Sequence, residues 1–485
     1  EYATQTFTYT ISDPSGETDT ATASITITGV NDQPTIVVVD VEGDVTEDES
    51  SPDLTDSGSV TFGEVDETDV LTSSVAKASE VTSSAAPIPA ALSLALDTAL
   101  VITQTGNNEG SIDWTFTLDN SLVQYLGEGE TVTATYTITL DDNSGTANAT
   151  TTQDIVITIT GTNDQPTITL ATSGAELCGA AHEDNSITLD MAFEDVDVTD
   201  VHAVNVSWGD GIIESFVLPT GDRGISLDHD YATGGIYTIV VSVVDDATGA
   251  DATSLLAVVS GVGLHNGVLQ IIGTAGDDHI TLNQTGNGSL KVHSDFIVEF
   301  ATDSTRDFLL SDISSVVAIL CDGDDQLTIS NRINLDTIIN GGAGNDRLNG
   351  GSGMNLILGG SGEDHIIGGS GRDILLGGLG ADRIVGAAGR DLLSGGRLVD
   401  ASLDEDTTSH LSDLVSIQTR YKTATNGEID AWISGADNFF DEFALDLTDD
   451  EAAADVITSS SGEDWTLLFE SDIWTDEASN SKGKK

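Results

Sequence analysis

The sequence predicts an all-β chain of modules in series, and three observations carry that prediction. Period-two alternation marks strands, as where Val132, Ala134, Tyr136, Ile138 and Leu140 alternate strictly with Thr. The phrase Ile-Thr-Gly-Val-Asn-Asp-Gln-Pro-Thr-Ile at 27–36 returns at 159–168 with Val30 replaced by Thr162, a repeat with a period of 132 residues. Six nine-residue repeats then run without a gap from Gly341 to Ser394. At roughly 100–200 residues per domain, a chain of 485 residues should hold three to five modules.

Composition narrows the function. The chain carries 82 acidic and 15 basic residues, net −67, and Lys77 is the only Lys or Arg before Arg223. Such a surface repels phosphate backbones, which excludes nucleic acid as a partner. It also repels itself unless cations neutralise it, and calcium is the cation it could use structurally. Cys178 and Cys321 lie 143 residues apart in what read as different modules, so free thiols are expected rather than a disulfide. No apolar run approaches the roughly 18 residues that span a membrane; the longest candidate is the short stretch around Leu255 to Leu264, and nothing is expected to be membrane-embedded. The chain starts at Glu1 and runs straight into strand-like alternation, so an export signal is expected upstream.

The modules follow in order. Phe7, Tyr9 and Ile11 alternate ahead of the first copy of the phrase, and Pro34 and Pro166 stop the ladder after each copy. Val45-Thr46-Glu47-Asp48, Phe62-Gly63-Glu64-Val65-Asp66 and Leu126-Gly127-Glu128-Gly129-Glu130 complete the layout. These residues resemble the VCBS repeats of giant bacterial adhesins, which implies immunoglobulin-like sandwiches: the end of a truncated one at 1–33 and a whole one at 34–166. The resemblance also implies that acids at module junctions can hold calcium, with Asp32, Glu47, Asp48, Asp66 and Asp164 as candidates beside a plain Asx-turn reading. Residues 167–261 carry Trp208-Gly209-Asp210-Gly211, His229-x-Tyr231 and Gly235-x-Tyr237. They resemble a PKD domain, implying a small β-sandwich in which Trp208 and His229 are core or turn residues. Asp195, Asp197 and Asp200 read either as a further acidic site or as a solvated loop.

The repeats at 341–397 read GGAGNDRLN, GGSGMNLIL, GGSGEDHII, GGSGRDILL, GGLGADRIV and GAAGRDLLS. They resemble the RTX, or hemolysin-type, calcium-binding nonapeptide, which implies a parallel β-roll. The chemistry agrees. Calcium takes six to eight oxygens at about 2.3–2.6 Å. Glycines at positions one, two and four let the turn coil with positive φ and present carbonyls, and position six supplies a side-chain oxygen. In the strand that follows, position eight points inward, placing Leu348, Ile357, Ile366, Leu375, Ile384 and Leu393 in the core. Repeats two apart stack, so one edge uses Asp346, Asp364 and Asp382 and the other Asn355, Asp373 and Asp391, with about four inter-repeat sites. Asn355 lacks a charge, so its site should be the weakest, and Ala387 in place of the second glycine suits a terminal coil.

Outward positions differ between the two sheets. Leu356, Leu358, Ile374, Leu376, Leu392 and Ser394 lie on one; Arg347, Asn349, His365, Ile367, Arg383 and Val385 lie on the other. An exposed apolar face of that size is a liability, so the first sheet is expected to be covered, and His365 is expected to be a surface residue. Degenerate copies carry Asp278, Asp325 and Asp464, so 262–340 reads as an irregular solenoid lead-in. Residues 398–485 read as a small mixed α/β cap with an amphipathic helix near Leu411, Leu414 and Val415, and with Trp465 and Trp474 closing its end.

The expected function is a non-catalytic, calcium-binding structural and adhesive region of a large secreted or cell-surface bacterial protein. Expected partners are calcium and cell-surface glycans, proteins or another copy of the chain. Two alternatives stand beside it: the accessory end of a secreted hydrolase, and a self-assembling surface-layer or filament subunit. His182-Glu183 lacks the second His of a zincin motif, and there is no Gly-x-Ser-x-Gly, so no catalysis is expected within these residues.

Overall fold

The computed structural model describes residues 2–48, 52–175, 178–183, 185–286, 288–296, 304–399, 411–424, 446–448, 454–459, 464–467, 473–476 and 482–484. Among them no helix is long and apolar enough to cross a membrane.

The chain opens with an antiparallel hairpin, Tyr2–Ser12 against Thr18–Thr28, exposed along both strands. A full sandwich follows. One sheet holds Glu42–Thr46, Thr150–Thr160, Thr131–Asp141 and Thr72–Thr82; the other holds Thr35–Val37, Asp53–Gly63, Glu109–Asp119 and Leu100–Gly106. The Thr-alternating strand buries every second side chain, and Val132, Ala134, Tyr136, Ile138 and Leu140 meet Trp114 and Phe116 in one core. Helix α1, Ala90–Leu96, adds Leu92 and Leu96 to that core, and the Tyr136 hydroxyl donates to the Leu96 carbonyl at 2.8 Å.

The next sandwich packs Thr167–Thr172, Ser186–Glu194 and Gly224–Asp230 against Ile213–Val217, Ala203–Ser207, Gly235–Val244 and Ala250–His265. Trp208 is buried at its centre, stacked on His229 at 4.4 Å, and donates to Glu214 Oε2 at 2.8 Å. His229 bonds Asp210 at 2.9 Å, so both aromatic residues serve the core and the turn.

The apolar stretch around Leu255–Leu264 belongs to one 16-residue strand, Ala250–His265. Its first part pairs with Gly235–Val244 inside the sandwich, and Gly261–His265 pairs with Val268–Ile272 of the solenoid. Sandwich and solenoid therefore share a sheet through position 261. A covalent tie reinforces the join. Cys178 and Cys321 form a disulfide with Cα atoms 5.5 Å apart, which corrects the expectation of free thiols. The shared strand folds the sandwich back onto the solenoid flank, and 143 residues of sequence separation vanish in space.

From 268 onward the chain coils between two parallel sheets. One stacks His279–Gln284, Gln326–Ile329, Arg347–Asn349, His365–Gly369 and Arg383–Ala387; the other stacks Val268–Ile272, Ser315–Ile319, Asp336–Ala343, Asn355–Ser361, Ile374–Leu379 and Leu392–Ser394. Leu348, Ile357, Ile366, Leu375, Ile384 and Leu393 are completely buried between them, as the position-eight pattern predicts.

The apolar outer face is covered. Helix α2, Leu411–Thr423, sets Leu414, Ile417 and Tyr421 against Leu356, Ile374, Leu376 and Leu392. Val415 faces away, 45% exposed. Beyond the helix the roll resumes: Val456–Ser459 pairs in parallel with Arg383–Ala387, and Trp465–Leu467 with Leu392–Ser394. Ile473–Asp476 and Lys482–Lys484 add one further strand to each sheet. The predicted cap is thus a helix on the roll's flank plus more roll. Trp465 is buried against the helix layer; the Trp474 side chain lies outside the described residues.

Candidate metal centre

Two rows of side chains run along the edges of the roll, one at each set of turns. On the first, the amide of each residue donates to the next carboxylate in the row. Asp278 N–H donates to Asp325 Oδ1 at 2.7 Å, Asp325 to Asp346 at 2.8 Å, Asp346 to Asp364 at 2.8 Å, Asp364 to Asp382 at 2.9 Å and Asp382 to Asp455 at 2.7 Å. On the second, Asn355 donates to Asp373 at 2.8 Å, Asp373 to Asp391 at 3.0 Å and Asp391 to Asp464 at 3.2 Å.

These bonds engage Oδ1. The second oxygens of Asp325, Asp346, Asp364, Asp373 and Asp391 are buried without a protein hydrogen bond. An unpaired buried carboxylate oxygen is strongly unfavourable, so the row calls for a cation or protons. Burial pushes these carboxyls up, Asp346 to about 6, Asp364 and Asp373 to about 7, Asp325 to about 8 and Asp391 to about 9. Neighbouring carboxylates add to the rise at Asp325, Asp346, Asp364 and Asp391.

The glycines complete the donor set. A Cβ on Gly341 would fall 2.2 Å from Asp346 Oδ2 and 2.3 Å from the Gly359 carbonyl; one on Gly359 would fall 2.4 Å from Asp364 Oδ2 and 2.3 Å from the Gly377 carbonyl. Position-one glycine thus leaves a space walled by carboxylate and carbonyl oxygens, the mixed hard-oxygen set that calcium takes. Position two takes the left-handed region in five of the six repeats, with φ of 101° at Gly342, 113° at Gly360, 120° at Gly369, 118° at Gly378 and 67° at Ala387; Gly351 is the exception.

A family model for the RTX calcium-binding nonapeptide repeat matches residues 335–366 and 367–397. This segment is an RTX calcium-binding repeat block. A search of curated proteins finds no match for the chain. Among solved structures, the PKD domain of an M14-like peptidase from a Thermoplasmatales archaeon is 14% identical, covering 20% of this chain and 92% of its own, with a TM-score of 0.17. A 1.5-MDa bacterial ice-binding adhesin structure is 13% identical over 59% of this chain and 90% of its own, TM-score 0.21. Adhesin InvE of Yersinia pseudotuberculosis is 11% identical over 46% and 58%, TM-score 0.18.

The structure sorts the eight predicted RTX-block and lead-in residues into kinds. Asp325, Asp346, Asp364, Asp373, Asp382 and Asp391 lie buried in the two rows. Asp278 ends its row with Oδ2 accepting from the Thr274 amide at 2.7 Å and Oδ1 from the Thr274 hydroxyl at 3.0 Å. Asn355 turns its amide nitrogen inward, toward the Gly368 carbonyl and Asp373 Oδ1 at 2.9 Å and the Gly353 carbonyl at 3.0 Å. Sequence reasoning missed Asp455, whose turn has no leading glycines; its spacing of nine from Asp464, equal to that from Asp382 to Asp391, was the available signal. His365 sits half-buried between Arg347 and Arg383 on the outer face, its pKa lowered by burial and by both arginines.

The module junctions form a second acidic region. Asn31 Nδ2 donates to Asp142 Oδ2 at 2.9 Å and Asp32 N–H to Asp66 Oδ2 at 2.8 Å. The second copy of the phrase repeats this arrangement, Asn163 to Asp245 Oδ2 at 3.2 Å and Asp164 N–H to Asp197 Oδ2 at 2.8 Å. At this second junction carboxylate oxygens of Asp195, Asp200 and Asp245 lie within 4.8 Å of one another. Asp197 Oδ1 and Asp200 Oδ2 are buried without a hydrogen bond, and burial raises these carboxyls to about 8 and about 7. The loop is therefore no solvated turn. Glu47 instead accepts from the Thr162 amide at 2.9 Å and its hydroxyl at 2.8 Å, and from Gln124.

Proposed function

We propose that this chain is the calcium-ordered, non-catalytic stalk of an adhesive protein on the bacterial surface or in its surroundings. The observation that carries the reading is the row of buried carboxylate oxygens without protein partners in the RTX block, with the Gly359 and Gly377 carbonyls beside those of Asp346 and Asp364. In this reading Asp325, Asp346, Asp364, Asp373, Asp382 and Asp391 hold calcium between stacked turns. In calcium-poor cytoplasm their charges oppose coiling; at millimolar calcium, binding free energy becomes folding free energy. The Cys178–Cys321 disulfide supports an oxidising compartment. The repeated junction supports a stiffened rod, with Asp195, Asp200 and Asp245 as a second cation position.

The test is calcium titration of the whole chain followed by circular dichroism, repeated with Asp364→Ala and Asp373→Ala. Calcium should raise the β signal, chelator should remove it, and each substitution should move the midpoint to higher calcium. A signal indifferent to chelator and to both substitutions would sink the reading.

A further inference from the structure

The two edge rows are not equivalent, and the difference centres on Asn355. On the first edge, Asp325, Asp346 and Asp364 each leave a buried oxygen without a protein hydrogen bond, and the next turn's Gly359 and Gly377 carbonyls flank the spaces beside those of Asp346 and Asp364. At the matching place on the second edge stands the Asn355 carboxamide, completely buried. Its nitrogen lies 2.9 Å from Asp373 Oδ1 and from the Gly368 carbonyl, 3.0 Å from the Gly353 carbonyl and 3.5 Å from the Gly351 carbonyl. That is one carboxylate and three backbone carbonyls around a single donor. A calcium ion at about 2.3–2.6 Å from the same oxygens would need the space the nitrogen fills.

The orientation of the amide is dictated by its partners. Its oxygen accepts from the Thr337 hydroxyl at 2.6 Å and from the Gly351 amide at 3.2 Å. Turning Oδ1 inward to ligate a metal would set the NH2 group against the Gly351 N–H and forfeit that bond, with the Thr337 hydroxyl reversed from donor to acceptor. Thr337, the residue in register with Asn355 on the preceding strand, has no charge either. The roll's second edge therefore starts with two uncharged, mutually bonded side chains where the first has carboxylates.

The same turn anchors the cover helix. Gln418 Nε2 on helix α2 donates to the Thr337 carbonyl at 2.7 Å and to the Met354 carbonyl at 3.2 Å, the residue just before Asn355. Gln418 is itself buried at 7% exposure. A carboxamide and two backbone carbonyls make this contact, and none of them needs a metal.

We propose that the Asn355 carboxamide takes the cation's place between turns 350–355 and 368–373, so this step closes without metal and gives the roll a calcium-independent anchor beneath helix α2. The proposal rests on the reading that the all-carboxylate steps hold calcium. It replaces a weak site with no site, and makes the roll's ordering start from a fixed place.

Native mass spectrometry of the full chain in calcium counts bound ions for the wild type, Asn355→Asp and Asn355→Ala. Asn355→Asp should bind one calcium more than the wild type, and Asn355→Ala the same number. In chelator, hydrogen exchange at the Gly351 and Asn355 amides should be at least about tenfold slower in the wild type than in Asn355→Ala. Loss of one ion in Asn355→Ala would make Asn355 an ordinary ligand and overturn the proposal, as would an unchanged count in Asn355→Asp. If Asn355→Asp does not fold, the Asn355→Ala count decides alone. A wild type that binds no calcium in the roll overturns the reading beneath it; a calcium-loaded wild type with either adverse variant count overturns the carboxamide step alone.

Discussion

Asp364→Asn is the substitution whose effect should change sign with calcium. The replacement keeps an oxygen to accept from the Asp346 amide, now bonded to Asp364 Oδ1 at 2.8 Å, and removes the charge. Asp364 is 2% exposed, and burial raises its carboxyl from 3.8 to about 7. A raised folded-state pKa means that the protonated acid is compatible with the metal-free roll below about pH 4. The penalty then grows as pH rises and is complete above about 7. A rise of that size corresponds to roughly 4 kcal/mol, the most that Asn can restore at pH 8 without calcium. In calcium the same change removes a ligand charge from a site, and a site held at 100 times its Kd contributes about 2.7 kcal/mol. At pH 8, urea unfolding followed by circular dichroism in millimolar calcium should therefore show loss, while in chelator, where the wild-type roll loses its β signal, the variant should keep more of that signal. Equal destabilisation in both would refute the reasoning, because the loss of the charge would then act without reference to calcium.

Three further outcomes follow from the fold. Cys178→Ser with Cys321→Ser opens a loop of 143 residues, and loop entropy sets the loss at up to about 5 kcal/mol, measurable as a lower unfolding midpoint in calcium. Ile417→Ala empties a completely buried position between helix α2 and the apolar sheet; a loss of about 2–5 kcal/mol and new binding of a hydrophobic dye should appear together. Ala387→Gly relieves a left-handed residue at φ 67° and should stabilise the calcium-loaded roll by about 1 kcal/mol, read as a rise in its melting temperature.

Much of the roll was legible because its signals are local. Nine-residue spacing puts the position-six acids and position-eight aliphatics in register, and six buried side chains from Leu348 to Leu393 follow from it. The need for a cover was legible too, since Leu356, Ile374, Leu376 and Leu392 point away from the core they cannot share. What escaped depends on contacts between distant residues. Cys178 meets Cys321 only because Ala250–His265 carries one sheet through from sandwich to solenoid. Asp455 joins the row across 73 residues from Asp382, with helix α2 in between. The Asn-Asp phrase reads as a turn, yet Asn31 reaches Asp142, 111 residues on. Asn355 was visible as a missing charge; that its nitrogen faces four oxygens depends on Thr337 and Gly351 holding the other end of the amide.

Hydrogen exchange of the full chain, in millimolar calcium and in chelator, tests the central claim most directly. The amides of Asp325, Asp346, Asp364, Asp373 and Asp391 each donate to the next carboxylate in their row. They should be protected in calcium and exchange freely in chelator, while the sandwich core around Trp114 and Tyr136 stays protected in both. Equal protection of the row amides in calcium and chelator would contradict the claim that calcium orders the roll.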